Sequence, residues 1–178
     1  DLDRPFFIMG FGIGGAVSTS FAEKFPQPNL RGLLLINSLS FVDPHYASVL
    51  HDCCNVFGCS SETRPDLPFY FYSRFLFSRS YLSRISAPLA FNIYTAVHNP
   101  ISLRGRIQLC LGGLDSTDNR TLLRNIPVPI ISIHGEEAGI VRPLHSKSYL
   151  EGRTSCDNIH EAMKGGYRTC IIAVKGGG

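Results

Sequence analysis

The sequence predicts a three-layer α/β/α domain built on a parallel sheet. Residues 5–10 form a short apolar run that leads through a glycine turn into residues 14–25, where apolar side chains recur at helical spacing until Pro26. Residues 30–39 follow, and their unbroken apolar row from Leu33 to Ile36 is typical of a parallel strand buried on both faces. Strands that alternate with helices in this way favour a parallel α/β sheet.

The rest of the chain continues this order after one long interruption. Residues 41–100 mix proline, serine, cysteine and aromatic side chains, which favours an inserted helical lid. Further elements are predicted by apolar spacing and by the positions of prolines: helix over 101–114 and 121–126, strand over 128–133 and 169–174, and one or two helices over 142–163.

Three segments therefore organise the predicted domain. Residues 1–40 and 101–178 supply the core, and residues 41–100 supply the lid. The chain is long enough for one domain with a substantial core, and its hydrophobic fraction of 44% fits a globular protein.

The composition argues against several function classes. The net charge is +3 and the 17 Lys and Arg residues are spread along the chain, so no nucleic-acid-binding surface is expected. No apolar run approaches the roughly 20 residues that span a bilayer, and we expect no transmembrane segment. The six cysteines lack C-x-x-C spacing, so we expect neither a zinc site nor another cofactor.

Two cysteines and one asparagine receive structural interpretations. Cys110 and Cys170 lie in apolar runs, which is typical of small core residues in a reducing compartment and favours a cytoplasmic location. Asn119 begins an Asn-Arg-Thr triplet that fits the glycosylation sequon, a signal that matters only in a secreted protein.

The glycine turn at residues 10–15 carries the main functional signal. In a G-x-S-x-G turn between a strand and a helix, the serine hydroxyl stands exposed above the sheet, and glycines flank it because the backbone is crowded. The stretch Gly10-Phe11-Gly12-Ile13-Gly14-Gly15 has this glycine spacing, but Gly12 occupies the serine position. The turn therefore has no hydroxyl for nucleophilic attack.

Two other interpretations of the turn stay open. Gly10, Gly12 and Gly15 also fit the dinucleotide-binding pattern G-x-G-x-x-G, although Asn37 and Ser38 stand at the next strand end where that site needs an acid. Gly12 also has a purely structural interpretation, because the elbow demands a positive φ angle with or without catalysis.

Residues 3–16 resemble the nucleophile-elbow region of the α/β-hydrolase superfamily. Residues 123–141 resemble the seventh strand of that superfamily and the loop that supplies the acid of its catalytic triad, where Ala138 occupies the acid position. The resemblance implies an α/β-hydrolase fold with a helical lid and two empty triad positions.

The same resemblance places the two ends of the chain. Residues 174–178 resemble the glycine-rich approach to the family histidine, which would follow Gly178. The first four strands of the family and its oxyanion-hole loop would precede Asp1. The chain is therefore expected to represent about the second half of a domain.

Other residues with catalytic potential receive non-catalytic interpretations. Glu136 and Glu137 adjoin the empty acid position, but solvated loop carboxylates are the commoner case. Ser18 and Ser20 lie within the predicted helix, His134 ends a strand, and Asp115 follows a helix as a turn or cap residue.

Residues 21–25, 37–41 and 123–130 are similar to maspardin-like proteins, which keep the elbow serine. The N-myc downstream-regulated family resembles this chain in lacking it. Both groups are treated as non-enzymatic, so the resemblance implies a pseudo-hydrolase that binds protein partners. The expected binding residues are Phe11, Gly12, Ile13, Phe69, Phe71, Phe75 and Ala138. The alternatives are a protein that binds a small apolar ligand under the lid, and an active hydrolase with an unusual nucleophile.

Overall fold

A computed structural model describes residues 3–61, 63–64, 66–98, 101–116 and 118–177. The chain divides into two compact units. The sheet unit comprises Asp1–Phe41, Ser116–Glu136 and Val141–Lys175, and the helical unit comprises Val42–Asp115, Glu137–Ile140 and Gly176–Gly178. The ends of the predicted segments at 1–2, 99–100 and 178 lie outside the described residues.

The sheet unit is built on five parallel strands in the order β1-β2-β3-β5-β4. The strands are β1 Phe6–Phe11, β2 Leu30–Ile36, β3 Ile130–Gly135, β4 Thr154–Cys156 and β5 Arg168–Val174. The helices are α1 Ile13–Lys24, α7 Leu144–Ser148 and α8 Ile159–Ala162, with a 3-10 turn at Leu122–Asn125. This arrangement confirms the predicted α/β fold class.

Local backbone geometry corrects three predicted boundaries. The second strand ends at Ile36 rather than at residue 39, because Asn37 adopts a φ of 41° and turns the chain out of the sheet. The third strand begins at Ile130 rather than at 128, since Pro129 has no N–H for a strand ladder. The helix predicted over 121–126 is a 3-10 turn of four residues.

The prediction over 142–163 missed one strand. That stretch contains two short helices, as predicted, but also β4, which pairs with β5 at the edge of the sheet. Three residues are too few for alternating hydrophobicity to be visible in a sequence. The sheet therefore has five strands among the described residues, where the sequence predicted four.

The core of the sheet unit lies between α1, the sheet and the segment before β3. Its buried apolar residues are Ala22, Leu30, Leu33, Leu35, Leu123, Ile126, Ile130 and Tyr149. A smaller cluster of Cys156, Ala162 and Cys170 lies under α8. Cys170 is thus a buried free thiol, as the sequence predicted.

The helical unit contains α2 Pro44–Gly58, α3 Asp66–Leu76, α4 Arg79–Leu82, α5 Ala87–His98 and α6 Leu103–Leu114. Side-chain caps fix three helix starts: Asp43 accepts a hydrogen bond from the N–H of Tyr46, Ser78 from Tyr81, and Ser102 from Gly105. Helix α6 clusters with this unit, whereas the predicted lid ended at residue 100. That these helices act as a lid stays a prediction.

Phe69, one of the expected binding residues, is buried. It is only 6% exposed and packs against Phe91, Tyr94 and Ala90, so it belongs to the core of the helical unit rather than to its surface. Phe71 and Phe75 are half-buried. Tyr70, which the prediction did not single out, is 71% exposed.

Candidate functional site

Gly12 forms the apex of a tight turn between β1 and α1. Its φ of 55° and ψ of −122° lie outside the regions that L-residues readily adopt. Its N–H donates to the Ile36 carbonyl (3.1 Å), and its carbonyl accepts from the N–H groups of Gly15 (3.2 Å) and Leu39 (3.1 Å). The predicted positive φ is confirmed, and backbone bonds hold the turn in the elbow geometry.

Close packing explains the two flanking glycines. A Cβ on Gly10 would lie 2.6 Å from the carbonyl oxygen of Gly14, and a Cβ on Gly15 would collide with the side chain of Ser38. Both glycines let α1 lie directly on the ends of β1 and β2. The G-x-G-x-x-G spacing is thus accounted for by strand-to-helix packing, and β2 is followed by Asn37 and Ser38 rather than by an acid.

The space around Gly12 is open. An added Cβ there would have no heavy atom within 4 Å, apart from its chain neighbours. Helix α1 starts at the next residue, Ile13, without a side-chain cap. Phe11 is 68% exposed beside it. The elbow has room for a side chain and lacks one.

The serines predicted as helix-face residues have structural partners. Ser18 donates to the carbonyl of Gly14 at 2.7 Å, one turn earlier in α1. Ser20 donates to the side-chain oxygen of Asn119 at 3.2 Å. Ser38, at the end of β2, donates to the Gly10 carbonyl at 3.0 Å and is 1% exposed.

The end of β3 is anchored by the end of β2. Asn37 Oδ1 accepts a hydrogen bond of 2.8 Å from the N–H of Gly135. His134, one residue earlier, is 3% exposed, and neither ring nitrogen makes a well-formed hydrogen bond to any described residue. Burial lowers the pKa of His134 more than the neighbouring Val141 backbone raises it. The ring is thus a neutral, packed side chain, as the sequence suggested.

The loop after β3 belongs to the helical unit from Glu137 to Ile140. Ala138, which the sequence resemblance assigns to the acid position, is 9% exposed, and its side chain is a methyl group. His45 Nε2, at the start of α2, lies 2.8 Å from the carbonyl oxygen of Gly139, and the N–H of Glu137 donates to the Gly177 carbonyl. Glu136 and Glu137 are exposed, as expected of solvated loop carboxylates.

A buried serine–histidine cluster was missed by the sequence analysis. Ser40 Oγ lies 3.2 Å from His145 Nδ1, and Ser148 Oγ donates to Ser40 Oγ at 2.6 Å. Ser40 and His145 are 1% and 0% exposed, so no substrate reaches this hydroxyl. The residues stand 105 positions apart with no motif between them, and only the fold brings them together.

The described residues offer no other obvious reaction centre. Among them, no group of three or more His, Cys, Asp or Glu side chains is placed to hold a metal ion. No helix in that part of the chain has the length and apolarity to cross a bilayer. An apolar groove of about 160 Å³ lies on the sheet unit between Phe7, Leu34 and Met163. It lies beside the first half of the strands, away from the elbow at the end of β1.

No protein-family model matches the chain, and no curated protein sequence matches it either. Solved structures do. An α/β hydrolase enzyme from a Medee basin deep-sea metagenome aligns with 98% of this chain and 58% of its own, at a TM-score of 0.74 and 16% identity. The chain has the α/β-hydrolase fold.

Two further structures support this assignment. A bromoperoxidase from Bacillus anthracis aligns with 98% of this chain and 60% of its own, at a TM-score of 0.68 and 12% identity. A thermophilic esterase from Thermogutta terrifontis aligns with 99% of this chain and 58% of its own, at a TM-score of 0.68 and 16% identity. The chain thus spans less than two thirds of the α/β-hydrolase-fold structures that it matches, and at these identities the likeness shows the fold alone.

Proposed function

We propose that this chain is part of a pseudo-hydrolase, a protein that uses the α/β-hydrolase fold to bind protein partners and does not hydrolyse esters. The observation that carries the proposal is Gly12 at the apex of the elbow, where nucleophilic catalysis requires a hydroxyl or thiol. Glycine offers neither, and it cannot form an acyl intermediate.

Two further observations support the loss of chemistry. The residue at the acid position, Ala138, has no carboxylate to orient a histidine. The hydroxyls of Ser18 and Ser38, which lie near the elbow in sequence or at the neighbouring strand end, donate to the carbonyls of Gly14 and Gly10. A hydroxyl committed to a backbone carbonyl within the protein is not poised to attack a substrate.

The turn keeps the elbow geometry although it has no nucleophile, which favours a structural or binding role for it. The positive φ of Gly12, the glycine contacts at Gly10 and Gly15 and the backbone bonds to Gly12 are all in place. The same geometry without a nucleophile keeps the sheet and α1 in register while leaving no reactive group. We group the chain with the N-myc downstream-regulated proteins, which it resembles in lacking the elbow serine, whereas maspardin-like proteins resemble it at residues 21–25, 37–41 and 123–130 but keep that serine.

Covalent labelling tests the proposal. The full protein is treated with a fluorophosphonate probe and assayed with short-chain nitrophenyl esters, and adducts are mapped by peptide mass spectrometry. We expect no labelling and no turnover. An active serine esterase is the positive control for the probe and the assay, and the Gly12→Ser variant tests whether a hydroxyl at the apex is by itself enough for labelling, since no heavy atom lies within 4 Å of an added Cβ there. A fluorophosphonate adduct on any residue of the unmodified chain, with matching ester turnover, would reject the pseudo-hydrolase role.

A further inference from the structure

Charge is distributed unevenly along the helical unit. Between residues 67 and 114 the sequence has five arginines, Arg74, Arg79, Arg84, Arg104 and Arg106, and has neither lysine nor any acidic residue. The whole chain is nearly balanced, with 17 basic and 14 acidic residues. The helices α3 to α6 therefore carry a net positive charge. The acidic residues that nearly balance it over the whole chain lie in other segments.

One of these arginines is structural. Arg106 is 8% exposed, its Nη1 donates to the hydroxyl of Tyr94 at 2.8 Å, and its Nε donates to the Ile101 carbonyl at 3.0 Å. The other four are exposed. None of them forms an ion pair with a described residue.

The nearby carboxylates do not neutralise this surface. Asp66 is bound by both Arg64 Nε (2.9 Å) and Arg64 Nη2 (2.8 Å), outside the arginine-rich stretch. Glu137 accepts a long hydrogen bond of 3.5 Å from Ser80 Oγ on α4. Glu137 thus contacts Ser80 and not an arginine, and the guanidinium groups of Arg74, Arg79 and Arg84 keep their charge without an ion pair to a described residue.

Apolar and aromatic side chains share that surface. Leu67, Tyr70 and Arg74 occupy positions i, i+3 and i+7 of α3, which lie on one side of a helix, and all three are exposed. The opposite side of α3 buries Phe69 against α5. The guanidinium of Arg74 lies 4.7 Å from the ring centres of both Phe71 and Phe75, which holds it in place.

The next helix, α4, also exposes an aromatic ring. Tyr81 is 42% exposed and its ring stacks on Phe77, with centroids 5.8 Å apart and planes inclined by 27°. Arg79 and Arg84 flank it in sequence. We define the α3–α4 surface as Leu67, Tyr70, Arg74, Arg79, Tyr81 and Arg84.

We propose that the α3–α4 surface binds an acidic, partly apolar peptide segment of a partner protein. Tyrosine and arginine are enriched at protein interfaces, and lysine is depleted. Arginine binds carboxylates through two parallel N–H bonds, which lysine cannot do, and the surface uses arginine alone. The proposal names a partner class for the binding role proposed above and rests on that role.

Fluorescence anisotropy with labelled peptides tests this surface. One peptide alternates Glu with Leu and Phe, and a matched peptide replaces Glu with Gln. The unmodified protein is expected to bind the acidic peptide more than about tenfold tighter than the neutral one, and to weaken when NaCl rises from about 50 to about 300 mM. Equal affinity for both peptides would overturn the proposal.

Variants separate specific recognition from net charge. The triple variant Arg74→Gln, Arg79→Gln and Arg84→Gln should lose at least about tenfold in affinity. The control triple Arg4→Gln, Arg31→Gln and Lys164→Gln removes the same charge from exposed positions of the sheet unit, and it should lose less than about threefold. Equal losses in both triples would show non-specific attraction and would overturn the proposal.

Two further variants test the contact chemistry. Arginine-to-lysine changes at positions 74, 79 and 84 keep the charge and should still weaken binding, because the bidentate bonds are lost. Tyr70→Ser should weaken binding while leaving its salt dependence unchanged. Circular dichroism of each variant confirms that the helices are intact, so a loss of binding is assigned to the surface.

Lipid vesicles test an alternative occupant of the surface, and covalent labelling separates this proposal from the pseudo-hydrolase role. Co-sedimentation with phosphatidylcholine vesicles containing about 30% phosphatidylserine tests an anionic membrane as the occupant. Vesicle binding that depends on the same three arginines, without peptide binding, would replace the proposed partner. Failure of the peptide experiment leaves the fluorophosphonate result intact, and fluorophosphonate labelling would reject the pseudo-hydrolase role without changing peptide affinity.

Discussion

The hydroxyl of Ser38 donates a hydrogen bond of 3.0 Å to the carbonyl of Gly10, and so joins the end of β2 to the strand that leads into the elbow. Gly15, in the first turn of α1, packs directly on the Ser38 side chain. The elbow is therefore held by contacts between three elements: a strand, its neighbour and the helix that follows.

Gly15→Ala should destabilise the protein by roughly 2–3 kcal/mol, because the new methyl group would overlap the buried Ser38 side chain. Gly14→Ala is the matched control. It lies one residue earlier in the same helix with nothing within 4 Å of an added Cβ, and alanine favours helix there by up to about 1 kcal/mol. Urea unfolding of both variants measures the difference, and equal stabilities would contradict the packing account.

Arg153→Met should cost roughly 3 kcal/mol of folding stability. The Arg153 guanidinium forms no ion pair with a described residue. It donates instead to the hydroxyl of Thr169 and to four backbone carbonyls, those of Leu123, Ile126, Val128 and Arg168. Burial lowers its pKa to about 10, so it remains protonated at neutral pH.

Thermal unfolding is the measurement for this variant. Arg153→Lys should recover less than half of the lost stability, because a single ammonium group cannot reach all the acceptors that the planar guanidinium group binds. The exposed Arg31→Met change serves as the control and should stay within about 0.5 kcal/mol of the parent. A stable Arg153→Met protein would show that these carbonyls find other partners.

Asn119 should remain unglycosylated in the folded protein, despite its sequon. Its side chain is 1% exposed, and its Nδ2 donates to the Ala16 carbonyl at 2.9 Å. Incubation of the folded protein with an oligosaccharyltransferase and its glycan donor, followed by intact-mass analysis, should therefore show no glycan. Asn119→Ala should cost about 1–3 kcal/mol, because buried polar partners lose their bonds. Thr121→Ala removes the same sequon at an exposed side chain and should leave stability unchanged.

Stability should fall as the pH drops from about 7 to about 5, in part through His134. Its folded pKa is lowered by burial, so between that value and the ordinary value of about 6.5 the unfolded chain binds more protons than the folded one. The contribution of His134 to the free energy of unfolding is therefore fully present above about pH 6.5 and declines below that pH. Chemical denaturation of His134→Leu at several pH values should give a shallower decline, whereas the exposed His160→Gln should follow the parent.

Local sequence patterns determined the fold class and the elbow. Apolar runs at 5–10 and 30–39, the helical spacing after Gly14 and the stop at Pro26 each depend on neighbours a few residues away. Such signals survive in a sequence because strand alternation and helical periodicity are properties of adjacent residues. The missing hydroxyl at Gly12 was readable for the same reason, since a turn between a strand and a helix is a local structure.

The tertiary structure alone decided what depends on residues far apart in the chain. Strand β4 forms because β5 offers it an edge, and Phe69 is buried because α5 covers it. Asn119 binds Ala16 across 103 positions, and Arg153 collects carbonyls from segments up to 30 positions away. No spacing rule connects such partners, because loop lengths are free to vary while the packed arrangement fixes which polar groups meet.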